Sequence, residues 1–369
     1  MPRTLETVLE IDLNALEHNY NYLRSLLKPK TKFLGVVKAY AYGSNAYKIA
    51  QKLEALGVEY FAVAYVKEGV ALRKAGIKKP ILVLHPQPIN FDELITNCLE
   101  PSLYSPKILR DFLETAARNN QKKYPVHLKF NTGLNRLGFW ENDVDYIIDR
   151  LNGRNEVIVA SVFSHLAASD DLNEKQFTQH QITTFEKIAK EVDEKLGYIA
   201  FKHLLNTSGI INFPEAQFDM VRSGIGLYGF GNDKKIDAEL KPVATLKTII
   251  SQLHKIEPHE SVGYNRAYTS EGYRTTATLP IGHADGIGRQ YGNGKAFVNV
   301  KGKLAPIIGN VCMDMIMIDV TNIDCKEGDE VIIFGQNPTA EEFADLANTI
   351  SYELITGISQ RVKRLYKGV

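Results

Sequence analysis

The chain has 369 residues, of which 44% are apolar, and a formal net charge of +1 at pH 7. That length suits two domains or one large barrel with an appendage. Near neutrality gives no electrostatic reason for nucleic acid or an anionic membrane as partner, and no run is apolar and long enough to span a bilayer.

After Glu10-Ile11, Asp12 caps a predicted helix on which Leu13, Leu16, Tyr20, Leu23 and Leu27 recur at three- and four-residue spacing, and Pro29 stops it. The next segment, Leu34-Gly35-Val36-Val37-Lys38-Ala39-Tyr40-Ala41-Tyr42-Gly43, is the most informative of the chain. Its β-branched run reads as a strand buried on both faces, and Lys38 stands where that strand emerges. There the stem packs among apolar groups, and burial penalises the ammonium in favour of the neutral amine that forms Schiff bases. A lysine that merely snorkels to water fits the same ten residues equally well.

A helix presenting Ile49, Ala50, Leu53 and Leu56 ends at Gly57. The pattern then predicts a strand at 60–64, a helix over 66–76, strands at 81–84 and near 99–104, and a helix over 106–118. Strands at 126–130 and 157–163 flank a helix near 143–151; a long helix over 174–196 leads to strands near 202–205 and 220–227. Strands and helices alternating over about two hundred residues predict an α/β fold, an eight-stranded parallel (β/α)8 barrel of TIM type, with an open doubly wound sheet as the alternative. Barrel chemistry gathers just past the strand C-termini, where Lys38, Arg136, His165, Asn206-Thr207-Ser208 and Arg222 all fall.

Near Gly231 the texture changes to short β-branched stretches at 243–253, 274–279, 295–300, 315–320 and 331–334, an all-β signal. Thr339 and Glu342 form a capping box that opens a short helix through Leu346. The predicted division is a barrel over 12–233 and a mostly β C-terminal domain over 234–369. The start, Met1-Pro2-Arg3-Thr4-Leu5-Glu6-Thr7, lacks the apolar centre of a signal peptide. Cys98, Cys312 and Cys325 show no CxxC spacing, so a cytoplasmic chain with no disulfide framework and no metal is expected.

Several residues stand out, each with an ordinary counterpart reading. Lys129 lies within an apolar strand and needs a partner; Arg136, in Arg136-Leu137-Gly138, has the planar fork to receive a carboxylate, or pairs with an acid elsewhere. Ser164-His165 ends the sixth barrel strand, where a histidine is more often a satisfied mouth residue than a base. Arg222-Ser223-Gly224-Ile225-Gly226 closes the eighth, and its glycines let a phosphate approach backbone N–H groups beside the Thr207 and Ser208 hydroxyls. In the β region, Tyr264 reads as an ordinary turn tyrosine and Cys312-Met313 as core.

In this order the segments resemble alanine racemase. The resemblance runs over nearly the whole chain: Val37-Lys38-Ala39 with Ala41-Tyr42-Gly43, Thr132-Gly133, Arg136-Leu137-Gly138, Ser164-His165, Val221-Arg222, Gly224-Ile225 and Tyr228-Gly229, then Val262-Gly263-Tyr264, Ala284-Asp285-Gly286, Cys312-Met313-Asp314 and Tyr352-Glu353. It implies a pyridoxal 5'-phosphate enzyme that interconverts L-alanine and D-alanine through an external aldimine and supplies D-alanine for peptidoglycan. It further implies a head-to-tail homodimer, with the N-terminal strand 1–11 packed on the C-terminal domain. Lys38 would carry the cofactor; Tyr42, Thr207, Gly224, Ile225 and Tyr352 would hold its phosphate; Arg222 would donate to its ring nitrogen. Lys38 would serve the D-alanine face, and Tyr264 from the partner subunit, beside His165, the L-alanine face. Arg136 and the backbone N–H of Met313, also from across the interface, would receive the substrate carboxylate. Lys129 would be N-carboxylated and orient Arg136.

Ser44-Asn45 replaces a frequent His-Gly, Asn131 an aspartate, Thr207 a serine, and His283 a tyrosine near the substrate entrance. The last change bears on side-chain selectivity, so a broad-specificity amino-acid racemase is the first rival reading. A non-catalytic pyridoxal-phosphate carrier is the second.

Overall fold

Asp12 ends one element and begins the next: its Oδ1 accepts from the backbone N–H of Asn14 at 2.9 Å and of Ala15 at 3.1 Å, opening the helix Leu13–Ser25. The computed structural model describes residues 6–231 and 234–368. The first five residues of the expected N-terminal strand, and Asp233 at the expected domain boundary, lie outside the described residues.

A first strand, β1 (Val8–Asp12), precedes the barrel. The barrel itself is β2 (Lys32–Val36), β3 (Tyr60–Val63), β4 (Ile81–Val83), β5 (Glu100–Leu103), β6 (Tyr124–Lys129), β7 (Val157–Phe163), β8 (Phe201–His203) and β9 (Met220–Ser223). Every neighbouring pair is parallel, and β2 closes on β9 with Lys32 opposite Met220 and Gly35 opposite Ser223, so the closed barrel stands and the open sheet falls. Its core is largely apolar, with Phe33, Leu34, Phe61, Val126 and Leu128 all inaccessible to solvent. The exceptions include polar side chains, among them Glu100 on β5, His127 and Lys129 on β6, Ser161 on β7, His203 on β8 and Arg222 on β9, all buried. In a barrel such residues need partners, and most of these find them in one another.

The mostly β region is a nine-stranded sheet ordered β11-β14-β17-β16-β15-β18-β10-β1-β19. Its strands are β10 (Ala244–Ile249), β11 (Gln252–Ile256), β14 (Arg274–Leu279), β15 (Phe297–Val300), β16 (Lys303–Ile308), β17 (Ile316–Asp319), β18 (Glu330–Phe334) and β19 (Lys363–Lys367), and a two-residue ribbon of β12 (Ser261–Val262) and β13 (Tyr268–Thr269) stands apart. β1 lies between β10, antiparallel, and β19, parallel, so both ends of the chain meet in this sheet.

Two stretches differ from the sequence pattern. Residues 243–253 read as one strand but break at Ile250-Ser251, where Ile250 N–H turns to Asp329 and Ser251 N–H to Thr278 and the chain exchanges β18 for β14 as partner. The strand read over 220–227 stops at Ser223, because Ile225–Tyr228 forms a tight turn against Thr207, and a Cβ at Gly226 would lie 2.5 Å from the Thr207 methyl.

Candidate active site

Beyond Val37 the backbone does what few L-residues do: Ala39, Tyr40, Ala41 and Tyr42 all take positive φ, between 51° and 58°, in one left-handed turn. Such a turn costs about 1–2 kcal/mol per residue, so something must hold it. Glu68 does: its Oε1 accepts from Ala39 N–H at 2.7 Å, while its Oε2 accepts from Ala64 N–H at 2.7 Å and Tyr65 N–H at 3.1 Å. On the other side Gly43, at φ 83°, lies so close to the helix Ser351–Gly357 that a Cβ would stand 2.2 Å from the Ile355 carbonyl oxygen. The turn sets Lys38 and Tyr42 on the wall of one cavity of about 650 Å³ at the C-terminal mouth of the barrel.

That cavity also takes in Lys129, Arg136, His165, Thr207, Arg222, Gly224, Ile225 and Tyr352, so of the twelve residues singled out in the sequence only Tyr264 and Met313 are absent from it. Burial lowers the Lys38 ammonium pKa, the Arg136 charge lowers it further, and Glu68 opposes both. Burial and Arg136 thus both favour the neutral amine, the direction the strand-end position suggested.

Lys129 is almost fully buried, and burial followed by the charges of Arg136, Arg222 and Lys38 brings its pKa to about 8. Asn131 does not answer that charge. Its side-chain oxygen accepts from Asn135 N–H at 2.9 Å and Gly133 N–H at 3.2 Å, and its amide donates to Asn135 Oδ1 at 2.8 Å. It thus builds the turn that delivers Arg136, and the donated bond is one an ionised aspartate could not make. Arg136 is exposed at the mouth, and its guanidinium has no hydrogen bond among the described residues.

Arg222 is buried and anchored through both terminal nitrogens. Nη2 donates to the carbonyls of Ser164 (2.8 Å) and Leu204 (2.9 Å) and to His165 Nδ1 (3.0 Å); Nη1 donates to His203 Nδ1 (2.8 Å) and to the His203 carbonyl (3.1 Å). Burial lowers its pKa to about 9, still a cation at neutral pH. Because a guanidinium only donates, His165 and His203 both accept at Nδ1. Enclosure, reinforced by Arg222, holds both rings neutral, well below the usual imidazole range.

On the wall of the same cavity, Gly224 brings the backbone close enough that a Cβ there would stand 2.2 Å from the Tyr42 hydroxyl. Tyr42 stacks on Tyr228 at 4.4 Å between ring centroids and lies 6.1 Å from Tyr352, and burial keeps its phenol protonated. Thr207 pairs with the Ser223 hydroxyl at 3.1 Å and receives Gly226 N–H at 3.3 Å, which pins the turn that offers Gly224 and Ile225.

Tyr264 and Met313 lie elsewhere in the chain, 71% and 59% exposed, beside a separate groove with Cys312, Asp314 and Met315. His283, exposed, binds the same loop: its N–H donates to the Cys312 carbonyl at 3.0 Å, and Gly282 leaves no room for a Cβ against the Cys312 and Met313 oxygens. Cys312-Met313 is therefore not the core segment its composition suggests. Sequence reading missed Glu68 and His203. The signal for His203 was absent, whereas Glu68 sits three residues after Tyr65, at a capping-box position that lacks the usual Ser or Thr.

Known proteins match this geometry from end to end. Residues 11–231 match the family model of the alanine racemase N-terminal domain, and residues 243–366 that of the alanine racemase C-terminal domain. Alanine racemase 2 of Caldanaerobacter subterraneus subsp. tengcongensis is 36% identical over 98% of this chain and 94% of its own length. Among solved structures, alanine racemase of Clostridium difficile 630 superposes with a TM-score of 0.92 at 36% identity, covering 99% of this chain and 96% of that one. Alanine racemase of Bartonella henselae, with covalently bound pyridoxal phosphate, superposes at 0.90 with 29% identity, over 98% of this chain and 99% of that one. A barrel with this mouth, followed by this sheet and matched along its full length, places the chain in the alanine racemase family.

Proposed function

We propose that the protein interconverts L-alanine and D-alanine with pyridoxal 5'-phosphate, using Lys38 of one chain and Tyr264 of another on opposite faces of the substrate. The observation that carries this reading is the cavity itself, in which a lysine of depressed ammonium pKa shares one chamber with an anchored arginine and with a backbone cradle at Gly224. The described residues fit the cofactor. Lys38 is the amine an aldehyde needs, and glycine at 224 lets the Tyr42 hydroxyl stand against the backbone, where a hydroxyl and backbone N–H groups together suit a phosphate. Among the described residues Arg222 donates only through Nη1 and Nη2, so Nε–H is the donor remaining for a ring nitrogen. Bound there, pyridoxal phosphate supplies the electron sink that acidifies the α-C–H of an amino acid.

Tyr42, Thr207, Gly224, Ile225 and Tyr352 hold the phosphate in this reading, and Arg222 holds the ring. Arg136, whose guanidinium has no hydrogen bond among the described residues, receives the substrate carboxylate together with the backbone N–H of the partner subunit's Met313. Lys38 then moves a proton at Cα on the D-alanine face. The partner subunit's Tyr264 does so on the L-alanine face, with His165 as its hydrogen-bond neighbour. Two bases on opposite sides invert the centre without turning the substrate over.

Burial, with the charges of Arg136 and Arg222 beside it, brings the Lys129 pKa to about 8 and favours the neutral amine, the form that adds carbon dioxide and, losing a proton, becomes an anion. N-carboxylation there gives Arg136 the acidic neighbour that Asn131 does not provide. D-alanine so formed serves peptidoglycan synthesis, in a cytoplasm where the three cysteines remain thiols.

Incubation with pyridoxal phosphate and a panel of L-amino acids, followed by chiral analysis, tests the activity. Racemisation of alanine is expected; turnover of bulky side chains at comparable rates would move the reading to a broad-specificity racemase, and no D-product at all would overturn it.

A further inference from the structure

The barrel interior holds polar groups that none of the roles above uses. Glu100 opens β5, His127 lies in β6 and Ser161 in β7; their exposures are 9%, 1% and 0%. Register sets His127 opposite Ser161 and, across the next pairing, brings Ser161 beside β8, which ends in His203. The result is one unbroken path from Arg222. Nη1 reaches His203 Nδ1 at 2.8 Å, His203 Nε2 reaches Ser161 Oγ at 2.9 Å, Ser161 Oγ reaches His127 Nδ1 at 2.6 Å, and His127 Nε2 reaches Glu100 Oε2 at 2.7 Å.

The two ends fix every proton between them. Arg222 can only donate, so His203 Nδ1 is bare and its one hydrogen sits on Nε2, donated to Ser161. The Ser161 hydroxyl hydrogen is then left for His127 Nδ1. His127 in turn carries its hydrogen on Nε2 and donates it to the Glu100 carboxylate, which only accepts and also takes the Tyr60 hydroxyl. Reversing a link sets two N–H groups against each other at the Arg222 end, or two acceptors at the Glu100 end. Protonating His127 on both nitrogens strands the Ser161 hydrogen where no water competes for it.

We propose that Glu100, His127 and Ser161 are positioning residues for Arg222, a proton-ordered chain that ties the buried guanidinium to a carboxylate at the far end of the barrel and keeps its Nε–H available to the cavity. This rests on reading Arg222 as the donor to the cofactor ring. Arg222 hydrogen-bonds to two histidine rings and three backbone carbonyls and to no carboxylate, so within hydrogen-bond reach it meets acceptors but no anion. A carboxylate set directly against Arg222 would compete for Nε–H. A chain supplies counter-charge and orientation while leaving that donor unused.

Enzyme labelled with 15N-histidine tests the proposal by long-range proton–nitrogen spectra, recorded with and without pyridoxal phosphate. His127 and His203 are both expected as neutral rings protonated at Nε2 only; a doubly protonated ring or an Nδ1–H ring at either position overturns the chain. In Ser161→Ala and Glu100→Ala, the His203 signals are expected to shift, and kcat to fall by about tenfold with KM changed less than twofold. Should Glu100→Ala not fold, Glu100→Gln, which keeps an acceptor but no charge, is expected to preserve the His203 signal and still lower kcat. A folded variant with wild-type kcat and an unmoved His203 signal contradicts the positioning role. Racemase activity of the wild type, measured alongside, tests the reading of Arg222 separately, since the tautomers are observed without cofactor.

Discussion

An amine is a nucleophile only in the fraction of time it is neutral, and Lys38 is placed to raise that fraction by burial and by Arg136, against the weaker pull of Glu68. Lys38→Ala is expected to abolish racemisation and the visible absorbance of the lysine-linked cofactor; a variant that retained a borohydride-reducible link would contradict the assignment. The same burial logic has a thermodynamic consequence at His203. Its folded-state pKa lies well below that of a free imidazole, so unfolding below pH about 6.5 takes up a proton. Stability contributed by the neutral ring is complete above that pH and declines on acidification by about 1.4 kcal/mol per pH unit. Urea unfolding between pH 7 and pH 5 should show this, with the slope reduced in His203→Asn; identical slopes would show that the ring is not held neutral. At Lys129, 13C-bicarbonate should give a carbamate carbon signal that Lys129→Ala lacks, and its absence from the wild type would remove the carboxylation. At this scale part was legible: positions past strand ends marked Lys38, Arg136, His165 and Arg222 as candidates, and only the resemblance gave them roles. Glu68, Glu100 and Ser161 were not, because each acts by what the fold sets beside it rather than by its local pattern.

The left-handed turn after Lys38 is the element that turns a strand end into a site. Four L-residues with positive φ are unfavourable in isolation, and Glu68 answers with one carboxylate for three backbone N–H groups. Glu68→Ala should destabilise the protein by about 2–4 kcal/mol, since hydrogen bonds to a charged acceptor are worth about 1.5–3 kcal/mol each and water replaces part of them. It should also weaken cofactor retention, because Lys38 and Tyr42 ride on that turn. A change below about 0.5 kcal/mol, the range of neutral surface substitutions, would show that the turn holds itself. The sequence reading located the strand before this turn and the helix after it, but nothing in Ala39-Tyr40-Ala41-Tyr42 signals left-handed geometry, which side chains of this kind avoid. The barrel strands were legible from their apolar runs. Strands such as Lys303–Ile308 and Lys363–Lys367 were not, because their burial comes from neighbours far along the chain.

At the scale of the whole molecule, the residues singled out in the sequence fall in two places on one chain. Lys38, Arg136 and Arg222 share a cavity, whereas Tyr264 and Met313 stand exposed on a separate groove of the C-terminal sheet. In a head-to-tail pair of identical subunits, each groove would complete the other's cavity. Tyr264→Phe should then impair exchange of the α-proton of L-alanine more than that of D-alanine, as read by deuterium incorporation, and equal losses would refute the two-sided assignment. The most direct test mixes two inactive proteins, Lys38→Ala and Tyr264→Phe, and lets their subunits exchange. If Tyr264 acts across the interface, each mixed dimer regains one intact pair and the mixture recovers roughly a quarter of wild-type activity at statistical exchange. If Tyr264 served the cavity of its own chain, both sites of every mixed dimer would stay broken, and no activity would return.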